Sequence, residues 1–245
     1  MKAARTPRPL CIACAAVLLA ASLAGCRRPG AGWIEPLKAL EPGGAPTNAA
    51  IEDLKRGIDR YQAEVDRKVS AAQNLGVYWK MLALKYVDNG MFGLALDALD
   101  EAVAVYPENP ILFQYMGVSA ARAAKGLVAD AAEQGRLYAR SEAAYRRAIF
   151  LDPTYVAALY GLAVLLALEL GRPAEAEPLV AAVLEQEPKN LDALFLLGRI
   201  AYAGGRYEDA VDCYDRILAT RPPDTLRDQA EQNKRLAKEA LFAAP

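Results

Sequence analysis

Prolines at positions 107, 153, 188 and 222 each close a helical pattern, and they stand 46, 35 and 34 residues apart. A period of that length marks a repeated supersecondary unit, so self-similarity constrains this chain more than any single motif. Counting back from each proline exposes one frame. In the first unit Trp79, Leu82, Ala83 and Tyr86 precede Ala95, Leu99, Ala102 and Pro107; in the second Phe113, Met116, Gly117 and Ala120 precede Ser141, Tyr145, Ala148 and Pro153. The third runs Leu159, Leu162, Ala163, Leu166, then Ala176, Val180, Val183 and Pro188. The fourth has Leu194, Leu197, Gly198, Ala201, then Ala210, Tyr214, Ile217 and Pro222.

Residues at i, i+3, i+4 and i+7 share one helical face, so each unit holds two amphipathic helices. Ala83, Gly117, Ala163 and Gly198 in the first helices, and Ala95, Ser141, Ala176 and Ala210 in the second, are small enough to let two backbones approach. Abundant Ala with sparse Thr, Ile and Phe also favours helix, because small and unbranched side chains lose little rotamer freedom there. Asn109 before Pro110 reads as an N-cap followed by a first-turn proline, and Thr154 is expected to serve similarly.

This frame resembles the tetratricopeptide repeat (TPR) family, whose 34-residue unit carries the W-x2-L-G-x2-Y, A, F, A, P pattern. The resemblance implies an all-α fold: an α-solenoid of about four TPR helix pairs over 76–224, divided as 76–109, 110–155, 156–190 and 191–224. The second unit carries twelve extra residues from about Arg122 to Glu133, and the third carries one extra near Gly171-Arg172-Pro173. Insertions in such arrays fall in loops or lengthen helices on one face, often the recognition face.

Flanking helices are expected at both ends. Over 48–75, Ile51, Leu54, Ile58, Tyr61, Val65, Val69 and Ala72 recur every three or four residues, behind Asn48 as an N-cap. Residues 225–245 make another, with Thr225 and Asp228 in capping-box spacing. Open stacks expose an apolar face at each end, so both read as caps. The first could instead fold into the array's groove or pair with a second copy.

Lys2, Arg5 and Arg8 precede an apolar run from Leu10 to Ala24, which ends in Leu23-Ala24-Gly25-Cys26. This describes a secretory signal over 1–25, and its apolar core is shorter than the roughly twenty residues of a bilayer span. The last four residues resemble a bacterial lipobox, which implies thioether lipidation of Cys26 and cleavage before it; an uncleaved anchor or an ordinary signal peptide are the alternatives. Cys11 and Cys14 leave with the signal, so Cys213 stays unpaired and the cysteines form no disulfide framework. Residues 26–47 are rich in Pro and Gly and read as a tether with a reach of about 25 Å. Arg27 is not the Asp that marks inner-membrane retention in enteric bacteria, so resemblance favours the outer membrane, facing the periplasm or the cell surface.

Composition narrows function. Histidine is absent, which removes the commonest general base and every His-dependent triad or zinc site. The formal charge is −1, with Lys and Arg scattered among acids, so there is no footprint for nucleic acid. No Gly-rich phosphate loop follows a strand, and acid pairs such as Asp97 with Asp100 or Glu101 lie on a solvated helical face. No catalytic residue, metal site or cofactor is expected.

In TPR arrays first helices line a concave face, and carrying those slots over gives Lys80, Leu84 and Val87, then Gln114, Val118 and Ala121. Tyr160, Val164 and Ala167 follow, then Phe195, Arg199 and Tyr202. Leu84 and Val118 stand where a carboxylate clamp would need Asn, so that function is rejected. An apolar groove suits a partner helix or extended segment. The expectation is a lipid-anchored scaffold that recruits an envelope protein in an assembly or transport complex, with room for a homo-oligomer. The alternative is binding or passage of a small apolar or anionic solute.

Overall fold

The computed structural model describes residues 48–127 and 129–243, apart from the side chain of Ala50. The signal, Cys26 and the tether therefore lie outside the described residues. What is described is all-α. In order come α1 (Asn48–Asp88), α2 (Phe92–Val105), α3 (Pro110–Lys125), α4 (Ala131–Leu151), α5 (Val156–Val164), a π turn (Leu165–Glu169), α6 (Pro173–Gln186), α7 (Leu191–Ala203), α8 (Tyr207–Ala219) and α9 (Asp224–Ala243).

Helices pair as the small residues require. Ala83, Ala95, Ser141, Ala163, Ala176 and Ala210 are fully buried, and Gly117 and Gly198 are buried beside them. At two nests the small residue faces a ring: a Cβ on Gly117 would lie 2.8 Å from Tyr145, and one on Gly198 would lie 3.0 Å from Tyr214. The Ser141 hydroxyl also donates to the Gly117 carbonyl at 2.7 Å, tying α4 to α3.

The turns between paired helices repeat too. Gly90, Gly171 and Gly205 all take positive φ, the left-handed conformation that ends a helix at low cost when Cβ is missing. After each, an amide reaches back to the helix: Met91 to Tyr86, Arg172 to Leu166, Arg206 to Ala201. The second unit closes differently. Its extra residues lengthen α3 and α4, and Asp130 caps α4 by accepting from the Glu133 amide at 3.0 Å. Asn109 caps α3 as expected, accepting from the Ile111 amide. Thr154 does not cap α5: Asp152 accepts from the Thr154 amide and hydroxyl, and Tyr155 stands at the cap with no side-chain bond.

Two boundaries differ from the sequence expectation. Residues 48–75 are not a separate helix, because α1 runs unbroken from Asn48 to Asp88. No proline interrupts it; of its two glycines, Gly57 meets nothing within 4 Å and Gly76 is where α1 crosses the end of α2. A Cβ there would sit 2.7 Å from Val105 and Tyr106, and the Tyr106 hydroxyl donates to the Gln73 carbonyl at 2.8 Å. The upstream apolar residues Ile51, Leu54, Ile58, Tyr61, Val65 and Val69 are all exposed. At the other end α9 starts at Asp224, with Thr225 inside it, so no capping box forms. It packs on α8 through buried Ala230 and Ala237, closing that end of the stack.

The third unit's extra residue appears as the π turn. Its wider ring absorbs one residue without opening the helix, and the chain re-enters frame at Gly171.

Arginine–carboxylate pairs strap successive second helices. Arg140 binds Asp100 at 2.6 Å. Arg172 spans Glu142 and Glu175, which Arg146 also meets, and Arg206 grips Glu177 through two bonds of 2.8 and 2.9 Å. Burial works against the charged Glu142, yet hydrogen bonds from Arg172 and Arg146 outweigh it and hold its carboxyl below the usual range.

Candidate functional site

The first helices present a row of apolar and aromatic side chains, and the structure gathers most of the expected groove residues around two cavities. One, of about 430 Å³, is lined by Tyr160, Val164, Phe195, Arg199 and Tyr202. The other, of about 370 Å³, is lined by Gln114, Val118, Ala121, Tyr160 and Val164. Tyr160 and Val164 belong to both and form the ridge between them. Lys80 and Leu84 line neither cavity, nor do Val87 and Ala167, although all four are half-buried on their helices.

Each anchor is held by a neighbour. The Phe195 ring tilts on Tyr214 at 6.2 Å, and Tyr202 meets Tyr207 edge-on at 5.5 Å. Burial raises the Tyr160 hydroxyl above its ordinary value, aided by the nearby Asp192 charge, so it stays a neutral hydrogen-bonding group. Such preset aromatics offer large contact area at little entropic cost.

Several wall residues were not legible in the repeat frame. Gln229, Asn233 and Leu236 come from α9 and close the larger cavity; nothing in α9's own pattern says which side of the array it folds against. Leu168 enters the same cavity and Glu169 the smaller one, because the π turn rotates both away from their repeat slots. Glu169 accepts from Tyr138 at 3.0 Å and pairs with Lys125 at 2.6 Å. Burial opposes its charge, but these bonds prevail and its pKa is lowered. The end of the insertion is thus engaged within the chain. Arg199 and Arg122 are exposed at the two cavities and form no ion pair with any described residue.

Burial pushes the Cys213 thiol up to about 11, so it stays protonated at neutral pH and packs beside Gly198. Among the described residues no group of three or more acids and cysteines could hold a metal ion, and no helix is long and apolar enough to cross a membrane.

A family model described as the tetratricopeptide repeat matches residues 80–155 and 163–225, more than half of the chain. A TPR repeat-containing protein of Synechococcus elongatus is 47% identical over 55 residues, which are 22% of this chain and 13% of that relative's length. Among solved structures, the MamA protein superposes with a TM-score of 0.57 at 17% identity, covering 69% of this chain and 83% of that one. YrrB, described as a TPR protein with an unusual peptide-binding site, gives 0.53 at 22%, covering 75% and 86%. A TPR protein of Thermus thermophilus gives 0.56 at 19%, covering 74% and 96%. At these identities the structural likeness speaks to the fold.

Proposed function

The chain belongs to the tetratricopeptide repeat family, whose α-solenoids mediate protein–protein interaction, and from that premise we propose that it is a lipid-anchored scaffold recruiting an envelope protein. The basic, apolar and small-residue run ending at Cys26 supports the anchor, the Pro- and Gly-rich stretch after it supports a tether, and Arg27 favours the outer membrane. The carrying observation for recruitment is the cavity framed by Tyr160, Phe195, Tyr202 and Arg199. It offers preset rings beside a cation with no ion-pair partner among the described residues, which suits a segment carrying apolar side chains and a carboxylate. The described peptide-binding site of YrrB supports the same use of the fold.

Capture from detergent-solubilised envelopes tests this. The wild type is expected to retain a partner that Tyr160→Ala with Phe195→Ala loses, while Cys26→Ser moves the chain from the membrane to the soluble fraction. Unchanged capture removes the groove from the reading, and unchanged fractionation removes the anchor.

The cavity's volume, within the range of small-molecule sites, supports a second reading in which an apolar or anionic solute sits between the first helices and α9. Saturable thermal stabilisation by one metabolite of a panel, lost in Arg199→Ala, is the result that reading requires.

A further inference from the structure

Helix α1 meets the end of α2 at Gln73 and Gly76, and its residues upstream of that point carry an exposed apolar stripe. The stripe keeps strict seven-residue spacing. Ile51, Ile58 and Val65 stand at one recurring position, Leu54 and Tyr61 at the other, and the same count then reaches Ala72, Leu75 and Leu82, while Trp79 packs instead against the core of the array. From Ile51 to Val65, and again at Leu75 and Leu82, these apolar side chains are 37% to 66% exposed. Only Lys68 interrupts the run, and it is drawn aside to Glu64 at 2.9 Å.

The period has a geometric consequence. On a straight helix a seven-residue repeat drifts by about 20° per heptad. Over this length the seam therefore moves off the face that seats α2, the side of Gly76 and Ala83, toward the outer side of α1. Leu75 and Leu82 are exposed there. A second helix following the seam in a left-handed supercoil is thereby carried toward the outer side of α1.

We propose that α1 pairs with α1 of a second copy of this chain, in a parallel two-stranded coiled coil from about Ile51 to Leu82. β-Branched residues at the first position with Leu at the second favour two parallel strands, and Lys68 at the second position weakens the pairing where it falls. The flanking positions 55, 57, 62, 64, 69, 71 and 76 are Lys, Gly, Gln, Glu, Val, Ala and Gly. These flanking positions therefore bring no like charges together across a parallel seam, where Lys68 alone faces its own copy, and small residues allow close approach. From Ile51 to Lys68 five acids balance five bases, and Glu52 pairs with Lys55 and Asp53 with Arg56. That balance fits a protein partner better than a lipid surface, which selects an excess of Lys and Arg. The pairing is independent of what the groove binds.

Light scattering coupled to gel filtration, on the chain as its expressing cell makes it in a mild non-ionic detergent, tests the proposal. The wild type is expected at the mass of two chains at micromolar concentration. Ile58→Asp with Val65→Asp, at exposed positions, should give one chain with the array's thermal transition intact. Tyr160→Ala with Phe195→Ala should stay at two, and Lys68→Leu should tighten the pair at least tenfold or add strands. A wild type that is a single chain, or a stripe variant that keeps two, overturns it. Oxidation of Ile58→Cys should trap a cross-linked pair that Arg60→Cys does not; equal trapping overturns the parallel register.

Discussion

Gly117 and Gly198 show how one residue sets the spacing of a helix pair. Each faces a tyrosine of the following helix closely enough that a Cβ would overlap the ring, whereas the other two nests hold alanines in the same clusters as Leu99 and Val180. Volume is conserved across the nest: the larger the residue on the second helix, the smaller its opposite. Gly117→Ala should therefore destabilise the array by about 1–3 kcal/mol through overpacking against Tyr145. Gly135→Ala meets nothing within 4 Å and should stabilise it by roughly 0.5–1 kcal/mol through backbone entropy. Urea unfolding of the two variants reads opposite signs if the ring, and not glycine itself, is what matters. The small slots were visible in the repeat frame. Which of them abut rings, and that Ser141 bonds across its nest, depended on side-chain directions that spacing does not specify.

Among the elements, the π turn is the most informative. One surplus residue near Gly171 was countable from the proline spacing, but a count says only that a residue must be accommodated. The helix took it up at Leu165–Glu169, upstream of the loop, where the rotated Glu169 gains Lys125 and Tyr138 as partners. Deleting Leu168 should restore the standard repeat, keep the helical fold and cost on the order of 1 kcal/mol as those hydrogen bonds are lost. Lys125→Ala should then destabilise the parent and leave the deletion variant unchanged, a coupling that a double-mutant cycle measures. An equal effect in both backgrounds would show that the turn is not what positions Glu169. Helix α1 teaches the converse lesson: its periodicity was plain in the sequence, yet periodicity alone did not distinguish a cap from the upstream half of a single helix.

At the scale of the molecule, the stack is joined by burial within pairs and by arginine straps between second helices. Glu142 and Glu169 are both held below the ordinary carboxylate range. The stabilisation from their ionised forms is therefore fully present above the unfolded-chain value of about 4.3 and is lost as pH falls through their lowered native values. The thermal midpoint should be level from neutrality to about pH 5 and fall below pH 4, with a smaller acid loss in Glu142→Gln; an equal loss would assign the acid sensitivity elsewhere. Sequence alone determined the helical class, the number of helix pairs and where each pair nests, because those follow from short-range periodicity and the steric demand for small residues. The walls of the cavity, the fate of the surplus residue and the continuity of α1 were decided by tertiary structure. Each depends on which surface is already occupied when residues distant in the chain meet, and no local pattern encodes that.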